Sequence, residues 1–413
     1  VVRNILSSFL SKSLIAFTLL AILLIQTRQL GSEVVGQVSL FILNLAIIQT
    51  ISDIYTGSAL VYFIPKYNVA KIYSNGLLWT FVCIVVINIF FYVFNIGIKE
   101  FWLHVFILSF VSTINAFHNV ILLAKEKIRT YNFLMFLQPV LLFIFLCICI
   151  LMLEINTVYA FIISAYASYS ILFIVSSYHL IILLNKEKGT KPVAKMSAIL
   201  QNGIVNQLGN LAHTLSNRYN YYLLAGVAMV GVYASATSLI ESVWLLSGSI
   251  SPVILTHIAN QNDVNNNSRV TLLLSKISFL LSIAAVLTVL ILPESFFNGL
   301  LGKDFAGTKS IMLHLSPGVL AISFSSILSH YFSGLGKQKI LLAANASGLL
   351  ITLSTAYYFI QNFGMLGAAY TASLAYLAQA LVLTIVFMKQ NKFAFSELLK
   401  WNRDLDLLNK KTS

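Results

Sequence analysis

Charge is what this chain has least of. Only 9% of its 413 residues are Asp, Glu, Lys or Arg, where a soluble domain carries roughly a quarter. The acidic share is smaller still, 13 residues against 26 basic ones. With 58% hydrophobic residues and a mean hydropathy of +0.87, a water-solvated globule is excluded and lipid is the expected solvent. Cysteine is scarce too. Cys83, Cys147 and Cys149 all fall in apolar stretches, which leaves no disulfide framework or thiolate metal site and makes them packing residues. Gly-rich phosphate loops are absent, and no polar interruption is much longer than residues 292–310. That leaves no room for an ATP-binding or catalytic domain outside the membrane.

What is present is a series of apolar blocks, each long enough for the about 20 residues that a helix needs to cross a bilayer. Twelve can be counted, at 5–30, 34–63, 76–98, 101–123, 132–153, 156–184, 197–225, 228–258, 270–292, 310–334, 340–360 and 365–388. Runs such as residues 141–150 show no alternation, so a transmembrane β-barrel is excluded. The first block exceeds a signal-peptide core and is read as a retained helix. The expected fold is an all-α polytopic membrane protein with twelve transmembrane helices in two six-helix lobes around a polar cavity. Its parts are an N-terminal lobe over 1–184, a linker over 185–196, a C-terminal lobe over 197–388 and a tail over 389–413.

The net charge of +13 is explained by where the cations sit, and no nucleic-acid partner is expected. With the N-terminus in the cytoplasm, 21 cations fall on inside segments and 4 on outside ones, Arg28, Lys99, Lys303 and Lys309. Arg218 lies within the seventh span. Such asymmetry predicts twelve spans with both termini cytoplasmic.

Two stretches recur. Val35-Gly36-Gln37-Val38-Ser39 resembles Val230-Gly231-Val232-Tyr233-Ala234 at an offset of 195, a likeness that two apolar helices can also show by chance, and His118 to Ile128 matches His330 to Ile340 more tellingly at 212. Six spans per half make the halves parallel, related by an axis along the membrane normal, as in transporters that rock about a central site.

Polar residues inside the spans give the candidate site. In the seventh span Asn206, Asn210, His213, Asn217, Asn220 and Tyr221 fall in one narrow sector of a helix. Hydrocarbon does not tolerate such a face, so it lines an aqueous cavity or bonds to another helix. Arg218 borders it, and an intramembrane Arg is a functional candidate by its cost, roughly 2.5–3.5 kcal/mol on insertion scales. Glu241 or Asp53 could pair with it. Glu241 could instead titrate. Tyr219, Tyr221 and Tyr222 flank the cation and suit either a phosphate grip with sugar-facing rings or an interfacial aromatic belt. Gln49, Asp53 and Thr56 share a face of the second span. Ser235, Ser238, Ser242 and Ser249 form a stripe on the eighth, read as close packing that leaves Glu241 aside. The other histidines lack ligand spacing and are expected to be structural, with no metal, cofactor or catalytic residue.

Several segments together resemble the multidrug/oligosaccharidyl-lipid/polysaccharide exporter superfamily, and within it the Wzx-type polysaccharide flippases. They are Thr27-Arg28-Gln29-Leu30-Gly31 with Val35-Gly36 and Asp53, Gly231 to Ala236, Leu300 to Phe305, Gly334 to Lys337, and Asn362 to Ala369. The likeness spans nearly the whole chain, though each motif is loose. Family members often carry an acidic residue near Ser216 to Asn220, where this chain has Asn217-Arg218-Tyr219, so a mechanism that relies on that carboxylate lacks its residue here. The resemblance implies alternating access by a non-enzymatic flippase in the bacterial inner membrane. Its substrate would be an undecaprenyl-pyrophosphate-linked oligosaccharide for O-antigen or capsule, and a polysaccharide polymerase and chain-length regulator would be possible partners. For such a substrate, this chain's own residues suggest Arg218, helped by Arg28 or Lys12, as the group neutralising the pyrophosphate, while the Asn, His and Tyr side chains solvate the glycan. A cation- or proton-coupled drug antiporter is the alternative, favoured by Asp53 and Glu241 and disfavoured by Arg218. A polymerase is a weaker one.

Overall fold

The computed structural model describes residues 2–185, 191–244, 264–398 and 400, with side chains from residue 14 to 244 and from 267 on. Lys12, Ser249 and most of the tail lie outside the described side chains. Among the described residues there is no strand, and eight helices are long and apolar enough to span a membrane.

Two of these eight are too long for one crossing. Val2–Thr56 has 55 residues and Gln338–Gln390 has 53, and each is broken at one glycine, Gly31 (φ 77, ψ 173) and Gly364 (φ 56, ψ −129). Only glycine enters these backbone regions at little cost, so the first and second spans, and the eleventh and twelfth, are separate helices that meet at a glycine without a loop. Two further helices are not apolar or long enough to count by composition. Met196–Arg218 carries the polar stripe of the seventh span, and Val227–Glu241 is the described part of the eighth. With these, each of the twelve expected spans has a helix among its described residues.

The packing is that of a lipid-solvated bundle. In Val69–Val93 the buried side holds Thr80 and Asn88, while Phe81, Val86 and Phe90 are exposed. Polar groups turn inward because hydrocarbon offers them no partner. Asn68 caps this helix, accepting from the Lys71 amide at 3.0 Å. His118 is fully buried as a polar tie: its Nε2 bonds the Tyr73 hydroxyl at 2.9 Å, and its Nδ1 bonds Ser176 Oγ at 2.8 Å. His104 meets Tyr166, and His314 and His330 bond carbonyls of their own helices. These are the structural roles expected. The three cysteines are free.

The helices gather into two compact units. The first runs to Leu211 and adds Gly226–Val232 and Leu300–Phe305; the second holds Ala212–Ala225, Tyr233–Gly299 and the residues from Ala306 on. In the first, Tyr55, Phe63, Ile72, Phe117 and Ile199 form a buried core; in the second, Leu328, Phe332, Leu383 and Phe387 do so.

Both internal repeats take structural form, one with a correction. A Cβ on Gly36 would overlap the carbonyl oxygen of Val227, and a Cβ on Gly231 would overlap that of Ser32. Each glycine thus lies against the residue four before the other, so the offset of 195 relates both halves of one crossing between the second and eighth spans. The other repeat is shifted by two. Helix Trp102–Ala124 ends in Lys125, Glu126 (φ 57) and Lys127 (ψ 52), and helix Thr308–Gly334 ends in Leu335, Gly336 (φ 69) and Lys337 (ψ 54). The closing hydrogen bonds, from Lys125, Glu126 and Lys127 to Ile121, Leu123 and Leu122, recur from Leu335, Gly336 and Lys337 to Tyr331, Ser333 and Phe332. The true offset is 210, not 212. The Lys-x-Lys-Ile likeness is one of composition, whereas the position that must take positive φ sets the register.

Candidate functional site

The second unit holds a connected polar cluster within the membrane-spanning helices. It is built from the end of the seventh span, the eighth and the twelfth. Arg218 is the last residue of Met196–Arg218. Its Nη1 and Nη2 donate to the two carboxylate oxygens of Glu241 at 3.2 and 2.5 Å. Of the two candidate partners, Glu241 is therefore the one engaged. Tyr376 also donates to Glu241 Oε1, so the carboxylate has donors from two helices. The pair is unevenly buried: the Arg218 side chain is 27% exposed and that of Glu241 8%. The Tyr221 ring lies 5.6 Å from the guanidinium carbon, within cation–π reach, and packs edge-on against Tyr233.

One turn earlier, His213 Nδ1 bonds Gln379 Oε1 at 3.2 Å and its Nε2 accepts from Asn217 Nδ2 at 3.1 Å. A single tautomer satisfies both. Gln379 Nε2 donates in turn to Ser216 Oγ at 2.9 Å. The Asn217 Oδ1 is buried with no partner among the described residues, a cost that a ligand hydroxyl or a water would relieve. Asn220 donates to the Ala368 carbonyl at 3.0 Å.

The stripe on the seventh span is thus divided. His213, Asn217, Asn220 and Tyr221 join Arg218 and Glu241 in the second unit. Asn206 and Asn210 belong to the first, where Asn206 donates to Ser58 Oγ at 2.8 Å and Asn210 to Gln207 Oε1 at 2.9 Å. Helix-to-helix bonding accounts for much of the stripe. In the same unit Thr56 donates to Asp53 Oδ1 at 3.1 Å, and Gln49 also bonds that carboxylate, so the expected face of the second span forms one group. Arg28 Nε donates to the Leu300 carbonyl at 2.9 Å, beside Gly31 and Asp304.

The eighth span differs from expectation. Ser235 is buried, but Ser238 and Ser242 are exposed, and the packed face carries Tyr233, Thr237 and Glu241 at intervals of four. Glu241 is on the packed face rather than aside from it, because its two donors lie there. The sequence reading also missed Tyr376 and Gln379. Their i, i+3 spacing puts them on one helix face, and Gln379 in an apolar span was the available signal.

No family model matches the sequence, and no protein of described function matches it by sequence. Solved structures do match by fold. A lipid II flippase, MurJ, in an inward closed conformation superposes with a TM-score of 0.71 over 97% of this chain and 89% of that one, at 15% identity. The MATE multidrug transporter DinF-BH, in complex with a bound compound, gives 0.68 over 94% and 95%, at 13% identity. An inward-facing multidrug resistance transporter of the MATE family, from the MOP superfamily, gives 0.64 over 93% and 96%, at 16% identity. The chain shares the fold of these proteins, that of an all-α, multi-pass membrane protein.

Proposed function

We propose that this chain is a transporter of the multidrug/oligosaccharidyl-lipid/polysaccharide exporter superfamily. In this reading it is a flippase that moves undecaprenyl-pyrophosphate-linked oligosaccharide from the cytoplasmic to the outer leaflet of a bacterial inner membrane, with both termini cytoplasmic. The observation that carries the reading is Arg218. Its guanidinium has five N–H groups, of which two are used on Glu241, and the side chain keeps 27% of its surface exposed. Such a cation beside Tyr221 and the unpartnered oxygen of Asn217 suits a ligand that combines a phosphate with hydroxyls. The fold likeness to a lipid II flippase supports a lipid-linked substrate. A polymerase and chain-length regulator would act next to it.

A second reading rests on Glu241. A buried carboxylate is what a cation- or proton-coupled drug antiporter would use, and the fold likeness to multidrug transporters supports it equally. The two separate in cells that lack the gene and are complemented with wild type or Arg218→Ala. The flippase reading expects loss of surface polymer and cytoplasmic accumulation of lipid-linked units, rescued by wild type and not by an Arg218→Ala protein present at normal membrane levels. Unchanged polymer with heightened dye sensitivity would establish the antiporter instead.

A further inference from the structure

We propose that Glu241 is a built-in counter-ion, which an anionic headgroup must displace from Arg218 before it can bind. This inference rests on the flippase reading and assigns Glu241 the part of setting which ligands the site accepts. The guanidinium is the exposed member of the pair and the carboxylate the buried one. An incoming ligand therefore meets Arg218 first, with its charge already cancelled from behind.

A pyrophosphate cannot simply be added to that arrangement. Two like charges about 4 Å apart repel by roughly 4 kcal/mol at an effective dielectric constant of about 20, so carboxylate and phosphate compete for one cation. Glu241 has a second anchor to fall back on. Tyr376, on the twelfth span, donates to Oε1 independently of Arg218, so the carboxylate stays hydrogen-bonded when the guanidinium turns to a ligand. A neutral ligand such as a glycan hydroxyl meets no such competition, since three N–H groups of Arg218 remain. The other polar groups of the cluster, His213, Tyr221, Tyr233 and Gln379, leave Glu241 as the anion engaged with Arg218.

The test uses the full-length protein in nanodiscs with two probes, undecaprenyl pyrophosphate and uncharged undecaprenol. Glu241→Gln keeps an acceptor for Tyr376 and removes the charge. It is expected to tighten binding of the pyrophosphate lipid roughly tenfold, as charge-assisted bonds to Arg218 become available, and to leave undecaprenol unchanged. Arg218→Ala combined with Glu241→Gln is expected to abolish the gain, which a merely structural effect of Glu241 would not do. If wild type prefers the pyrophosphate lipid but Glu241→Gln binds it no more tightly, the counter-ion role falls and the flippase reading stands. If neither protein distinguishes the two lipids, both fall. Should Glu241→Gln fail to reach the membrane, Glu241→Asp carries the test. It keeps the charge but withdraws it by one methylene, and a gain of roughly two- to threefold is expected; no gain overturns the proposal.

Discussion

Glu241 and Arg218 illustrate how a buried pair makes each member depend on the other. Removing one partner leaves a charge without compensation in a low-dielectric setting, which costs about 3–5 kcal/mol where it has been measured, whereas removing both is much less harmful. Glu241→Ala should therefore lower the thermal midpoint of the purified protein more than the Arg218→Ala, Glu241→Ala double variant does, as followed by scanning fluorimetry in detergent. The reverse order would mean that the pair adds nothing to stability. His118 belongs to the same scale. Its bond to Ser176 is buried and that to Tyr73 part-buried, so His118→Ala should cost about 1–3 kcal/mol, chiefly from the Tyr73 hydroxyl left without its partner, whereas His330→Ala, whose ring bonds its own helix, should have little effect in the same assay. In the sequence these two histidines occupy matching places in a repeat, but in the structural register, offset by 210, His330 answers to Val120 and not to His118. A shift of two residues turns a side chain by about 200° around a helix, so the two rings meet different neighbours.

At the scale of the element, the spans were legible because hydrocarbon imposes length and apolarity on each of them separately, and the breaks at Gly31 and Gly364 fall between the expected blocks. The polar sector of the seventh span was legible too, since helical periodicity alone places it. Its partners were not: Tyr376 and Gln379 lie far downstream, Gln379 being 166 residues beyond His213, and which helix faces which is decided by tertiary packing. The Ser stripe of the eighth span misled for a related reason, because Ser is tolerated on either face of a helix, while a buried Glu is held wherever its donors are. Backbone geometry gives sharper expectations here. Gly31→Ala forces a side chain into a region open to glycine and should cost about 1–3 kcal/mol. Gly36→Ala and Gly231→Ala should each reduce the yield of monodisperse protein on size-exclusion chromatography, and by similar amounts. Because one displacement of the two helices relieves both overlaps, the double variant should lose little more than either single one.

For the whole molecule, the charge asymmetry makes a statement about every loop at once. Reporter fusions after Lys127 and Lys337 should give cytoplasmic signals, and fusions after Lys99 and Lys303 should give signals from the opposite side; one fusion on the wrong side would break the twelve-span alternation. The repeat carries a meaning of its own at this scale. A contact in which Gly36 meets the backbone four residues before Gly231, and Gly231 meets the backbone four residues before Gly36, has the symmetry of a homodimer interface closed inside a single polypeptide. Two copies of one ancestral half, each supplying a glycine and a carbonyl, would need nothing more to form it. The two glycines, 195 positions apart, are held by the crossing to one shared constraint, so a tolerated change at either is expected to be answered by a change at the other.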